Sequence, residues 1–209
     1  MALEILKEGN ERFIRNLKAN RNLLQQVNET ASGQFPFATI LSCIDSRTSA
    51  ELIFDQGLGD IFSVRIAGNV LNDDILGSME FATKMAGSKI ILVLGHTRCG
   101  AITGACEGVE LGHLTGLLQK IKPAIDREKI TINKRNGSNQ EFVKNVTAEN
   151  VLHTIERIRK ESSIIAELEN EGQLAIAGGI YDVETGKVDF YEDKITEEKP
   201  SNATGAIVM

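Results

Sequence analysis

The sequence predicts an α/β fold: a mainly parallel central sheet flanked by helices, finished by a C-terminal antiparallel hairpin strand. Three observations predict it. The stretch "KIILVLG" (89–95) is a continuous β-branched and aliphatic run closed by glycine, the pattern of a strand buried on both faces. Strand-like runs alternate with helical patterns on either side of it, which is how parallel sheets are built. Near the end, "QLAIAGGIYDVETGKVDFYED" (173–193) reads as a strand, a Thr-Gly turn and a returning strand.

The elements follow in order. Residues 2–19 read as a helix with Leu3, Leu6, Phe13, Ile14 and Leu17 at apolar positions, interrupted by Gly9. "FPFATILSC" (35–43) is a buried strand entered through a proline, and "IFSVRIAG" (61–68) is a second strand. "LNDDILGSMEFATKMAG" (71–87) reads as a helix with Asn72 or Asp73 as N-cap, acids in its first turn and Gly87 past its end. "LTGLLQKIKPAI" (114–125) and residues 148–172 are further helices, the latter placing Val151, Leu152, Ile155, Ile158 and Ile165 on one face. The expected organisation is a single domain over 1–209, with an N-terminal helical arm (2–36), an α/β core (37–191) and a weakly specified tail (192–209).

Composition excludes several classes. The net charge is −6 and no basic patch carries interleaved aromatics, so no nucleic-acid partner is expected. No apolar run reaches about eighteen residues, so no membrane span is expected. The N-terminus "MALEILKEGNERFIRN" carries acids and lacks an apolar core, so it does not read as an export signal. Three cysteines without a disulfide spacing favour a reducing, cytoplasmic setting, and the Asn-x-Thr matches at Asn28, Asn145 and Asn202 read as chance.

Chemistry concentrates in two clusters, "ILSCIDSRTSAE" (40–51) and "LVLGHTRCGAI" (92–102). Each ends an apolar strand, and ligands of open α/β sheets bind beyond the carboxyl ends of the strands. If the first and third strands are neighbours, Cys43 and His96 face each other there. Cys99 sits at a helix N-terminus, where free backbone amides favour a thiolate. Two sulfurs and one imidazole are the pattern of a zinc with three protein ligands and an open fourth position. Asp45 can close that position or accept a proton beside it. Arg47 separates these roles, because a guanidinium can hold a carboxylate at both oxygens, away from the metal.

The joint pattern "C-I-D-S-R" (43–47) and "H-T-R-C-G" (96–100) resembles the β-class carbonic anhydrases. "EGNERF" (8–13), "DDILGSMEFA" (73–82) and "GGIYDVETGKV" (178–188) extend the resemblance over roughly residues 3–191. The resemblance implies zinc-dependent, reversible hydration of carbon dioxide to bicarbonate and a proton, by attack of hydroxide carried on Zn²⁺. It implies Cys43, His96 and Cys99 as zinc ligands and Asp45–Arg47 as a catalytic dyad, with Asp45 a fourth ligand only in a closed state. It adds Gln34 as a hydrogen-bond donor to substrate oxygen, Gly100 as a backbone donor, and Phe62 in an apolar pocket. It also implies a homodimer, or a dimer of dimers, whose neighbouring subunit completes that pocket. Phe81 stands where many plant-like members have tyrosine, Ala67 where a larger aliphatic residue is common, and Arg98 where a small residue is common. Ile40 and Ser42 replace the tryptophan and glycine of the bicarbonate-inhibited subgroup, so the resemblance favours the open, plant-like form.

Rival readings keep the same residues. Carbon disulfide or carbonyl sulfide could replace carbon dioxide on the same fold. A non-catalytic zinc-stabilised domain would use Asp45 as a permanent ligand, but it would have no use for Arg47 beside it. The two cysteines could be plain buried residues. His113 and His153 read as ordinary surface or satisfied histidines, and Cys106 as an inert helix residue.

Overall fold

A computed structural model describes residues 1–191; the expected tail over 192–209, with Asn202, lies outside the described residues. The apolar runs become β1 (Ala38–Ser42), β2 (Ile61–Arg65), β3 (Ile90–His96), β4 (Ala175–Tyr181) and β5 (Val188–Tyr191). Among the described residues they form one sheet in the order β2-β1-β3-β4-β5. The first four are parallel, and β5 returns antiparallel to β4 as the Thr-Gly turn predicts.

Every residue of β1 and β3 is buried, because both faces of the sheet are covered. One face packs Ile40, Leu92 and Leu94 against Leu6 of α1 (Ala2–Ile14) and Ile53 of α3 (Ala50–Ile53). The other packs Leu41, Ile91 and Val93 against Met79 of α4 (Asp73–Glu80) and Val151, Ile155 and Ile158 of α8 (Gln140–Glu161). Each such side chain, fully buried, contributes roughly 1.5–3 kcal/mol relative to exposure. Gly95, one residue before His96, lets α8 close on the sheet: a Cβ there would meet Val151 and Ile180 at 2.8 Å.

Several boundaries differ from expectation. The first helix stops at Ile14 instead of 19, since Asn16 turns left-handed (φ 54°), and Leu17 is exposed. β1 starts at Ala38; Pro36 carries no N–H for a strand ladder, and Phe35 is 90% exposed. β2 ends at Arg65, before a 3-10 turn over Ala67–Asn69. The α4 helix is capped by the Asn72 side chain, which accepts from the Ile75 amide, and it runs on through a π-helical turn over Phe81–Met85. The expected helix over 114–125 divides into α6 (Gly112–Gln119) and α7 (Lys122–Arg127), with Pro123 in the first turn of α7. The expected helix over 148–172 also divides. α8 begins earlier, under the Asn139 cap, and Ser162 breaks it to cap α9 (Ser163–Asn170) by accepting from the Ile165 amide.

One acid ties down the end of α1 and the segment that follows it. Asp55, itself left-handed (φ 45°), accepts from Arg12 Nε at 2.5 Å, Arg21 Nη1 at 2.7 Å and the Ala19 amide at 3.1 Å. Burial opposes its ionisation, but these donors outweigh it and hold the carboxyl below its ordinary range. The tie is therefore complete above that ordinary range and is lost only as acid protonates the folded carboxylate. An Asp55→Asn protein should lose on the order of 1–3 kcal/mol of that tie. Trypsin should then cut after Lys18 or Arg21 several-fold faster while the far-UV circular dichroism stays constant. Equal cleavage rates would show that Asp55 does not anchor that segment.

Candidate metal centre

Ser42 pairs with Leu94 where β1 and β3 run side by side, so the residues that follow both strands emerge at the same edge. Cys43 leaves β1 there and His96 ends β3. After a left-handed residue at Arg98 (φ 55°), Cys99 becomes the N-cap of α5 (Gly100–Glu107). The expected convergence is present: Cys43 Sγ lies 4.0 Å from Cys99 Sγ, and donor atoms of the two cysteines and His96 lie within 4.8 Å of one another. All three residues are buried.

His96 Nδ1 donates to the Thr97 carbonyl at 2.9 Å, which leaves the Nε2 lone pair directed elsewhere. Nε2 is buried and has no hydrogen-bond partner among the described residues. A buried acceptor without a donor, beside two sulfurs, fits a soft dication that takes nitrogen and sulfur. The sulfurs behave as a coupled pair. The Cys99 thiol, then His96 and the Gly68 amide, lower the Cys43 thiol against its burial, while the bond to Cys43 and burial raise Cys99.

Asp45 lies beside the cluster, with Oδ2 4.0 Å from His96 Nε2. It is held as a fork: Arg47 Nε donates to Oδ1 at 2.9 Å, Arg47 Nη2 to Oδ2 at 2.8 Å, and the Arg47 amide to Oδ1 at 3.0 Å. Those bonds keep the Asp45 carboxyl far below the usual carboxylate range in spite of partial burial.

Of the other expected site residues, Gly100 and Ala67 lie beside the cluster and the rest lie away from it. Gly100 is the first residue of α5 and is exposed, one position beyond Cys99. Ala67 starts the 3-10 turn beside the cluster, followed by Gly68. Phe62 and Phe81 meet edge-on with centroids 6.4 Å apart. They line an open hollow of about 780 Å³ between β2 and α4, whose walls include none of the three cluster residues. Gln34 is exposed and precedes β1, whereas Cys43 follows it. Five strand residues span about 16 Å, so the Gln34 of one chain is not brought to that chain's own cluster. Arg98 pairs with Glu184 in the β4–β5 turn, so its charge is directed to the hairpin. His113 is exposed, His153 stands beside Arg127, and burial pushes the Cys106 thiol up to about 11.

Three residues escaped the sequence reading. Gly68 donates its amide to Cys43 Sγ at 3.3 Å from a left-handed backbone (φ 67°), and a Cβ there would press Ile121 at 2.9 Å. The Thr48 hydroxyl lies 3.0 Å from the Cys43 carbonyl and 2.8 Å from the Asp45 carbonyl. Arg65 reaches the same two carbonyls. No motif marked them: the side-by-side ends of "IFSVR" and "ATILS" are set by strand pairing.

The carbonic anhydrase family model matches residues 38–188. The chain belongs to this family. It is 37% identical over 194 residues to carbonic anhydrase 2 of Mycobacterium tuberculosis, covering 89% of each chain. It is 33% identical over 192 residues to the carbonic anhydrase of Mycolicibacterium smegmatis, covering 90% of this chain and 91% of that one. Among solved structures, a β-carbonic anhydrase of Aspergillus fumigatus matches with a TM-score of 0.71 at 25% identity, covering 91% of this chain and 89% of that one. The sheet order and these relatives place the chain in the β class of carbonic anhydrases.

Proposed function

We propose that this β-class carbonic anhydrase interconverts carbon dioxide and bicarbonate with Zn²⁺ held by Cys43, His96 and Cys99. The observation that carries the reading is the orphaned His96 Nε2 beside two sulfurs, with a fork-held carboxylate 4.0 Å away. Bound zinc lowers the pKa of water to about 7 and so supplies a nucleophile near neutrality.

The chain's own residues do the rest. The Thr97 carbonyl fixes the His96 tautomer. Asp45, ionised across the working range, is placed to accept a hydrogen bond at Oδ2, the oxygen 4.0 Å from His96 Nε2, while Arg47 keeps that carboxylate from becoming a fourth ligand. The Gly100 amide is a donor for oxygen on which charge develops.

Gln34, Phe62 and Phe81 belong to a neighbouring copy's site in this reading, with Ala67 at the pocket wall. The support for a homodimer, or a dimer of dimers, is an exposed apolar arm: Leu17, Leu23, Leu24, Val27 and Phe35 are 49–90% exposed. One structural relative, from Sordaria macrospora, is described as tetrameric. Three cysteines without a disulfide spacing favour a cytoplasmic setting. No helix among the described residues is long and apolar enough to cross a membrane.

The test is stopped-flow carbon dioxide hydration on metal-quantified protein, with sulfide release from carbon disulfide assayed on the same preparation. Hydration should scale with zinc content. Sulfide release without hydration would overturn the reading.

A further inference from the structure

We infer that Arg65 is a positioning residue that holds the turn joining the Cys43 sulfur to the Asp45–Arg47 pair. The inference rests on the function proposed above. Arg65 is the last residue of the edge strand β2 and pairs with Ser42, immediately before Cys43. Its side chain crosses the carboxyl edge of the sheet, where Nε donates to the Cys43 carbonyl at 3.1 Å and Nη2 to the Asp45 carbonyl at 2.7 Å. Nη2 also lies 3.4 Å from the Thr48 hydroxyl, which contacts both carbonyls itself.

Two carbonyls, two residues apart, are thus set by one planar fork. Ile44 between them is 60% exposed and anchors nothing. The two planes so held, the Cys43–Ile44 and Asp45–Ser46 peptides, adjoin the Cα atoms from which the Cys43 sulfur and the Asp45 carboxylate project. The carboxylate in turn receives the Arg47 amide at 3.0 Å, so a twist of this turn would loosen Asp45 and Arg47 together. Thr48 alone leaves the turn held from one side, by its own chain neighbour. Arg65 ties it to a different strand.

Lysine at this place offers a single charged nitrogen on a flexible stem and cannot span both carbonyls in fixed geometry. Residues that orient a metal ligand through hydrogen bonds are typically worth 10–100-fold in metal affinity or activity.

The experiment compares the wild-type, Arg65→Gln and Arg65→Lys proteins, each loaded with zinc for kinetics and with cobalt for visible spectroscopy. The Arg65→Gln protein should keep its melting temperature near wild type while kcat/KM for carbon dioxide falls roughly 10–100-fold. Its cobalt spectrum should change as Asp45 enters the coordination sphere, and adding Asp45→Asn should return the spectrum toward wild type. Arg65→Lys should recover little. A wild-type cobalt spectrum in Arg65→Gln, or full recovery with lysine, would overturn the role. If the wild-type protein fails to hydrate carbon dioxide while the Arg65→Gln spectrum still changes, the proposed function fails and the positioning role stands.

Discussion

A Cys43→Ala protein should carry no zinc after chelation and desalting, and should hydrate carbon dioxide at less than roughly a thousandth of the wild-type rate. The size of the effect follows from what the cluster is for. Without the ion, water at neutral pH is far too weak an acid to supply the nucleophile. Cys43 is the most exacting of the three to remove, because its sulfur touches both Cys99 at 4.0 Å and the Gly68 amide at 3.3 Å. The fold should survive, since the change deletes one sulfur from a sheet edge whose aliphatic core remains. What the protein loses is the stabilisation that a tightly bound ion confers by binding only the folded chain. Its melting temperature should therefore fall to that of chelator-treated wild type, and chelator should lower it no further. A variant that retains one zinc per chain with unchanged hydration would remove the basis for the site.

How much of this was legible in the sequence follows a physical divide. β1 and β3 were legible because strands buried on both faces read as uninterrupted apolar runs, and the three cluster residues because they sit where such runs stop. The α2 helix (Leu23–Glu29) was not legible, because none of its residues is buried and so no apolar face points inward. The breaks at Ser162 and Pro123 lay within helical periodicity that continued across them. Ser162 was one more polar residue until its cap and its bond to Glu80 at 2.6 Å were visible. Gln34 matched by spacing alone, and spacing along a strand cannot say which end of the sheet, or which copy, a residue serves. Arg65 and Thr48 act on backbone carbonyls, and partners of that kind leave no motif. Even the pairing of the two clusters depended on sheet order, which placed β1 beside β3 only through long-range contacts.

Arg47→Ala should separate holding the metal from using it. The three donors are untouched, so zinc content should stay at wild type, and thermal stability should hardly change because the Asp45–Arg47 pair is open to solvent on the arginine side. Activity should fall roughly 10²- to 10⁴-fold, the range for a group positioned to hydrogen-bond at the reacting centre. The pH dependence identifies the cause. In the wild type the Arg47 fork holds the folded Asp45 carboxyl well below its unfolded value near 3.9. A depressed carboxylate contributes stability that is present above that unfolded value and lost only as pH falls through the lower, folded one. Asp45 therefore stays ionised through neutral and mildly acid conditions, and no inflection of the wild-type activity profile there belongs to it. Without the fork its pKa rises toward the ordinary value, and its Oδ2, already 4.0 Å from His96 Nε2, can turn toward the cluster. Arg47→Lys should restore only part of the rate, since a point charge cannot engage both oxygens. Arg47→Ala combined with Asp45→Asn should be no worse than the poorer single variant, because the two residues act as one device. Additive losses in that double variant, or full activity in Arg47→Ala, would mean that the carboxylate needs no restraint.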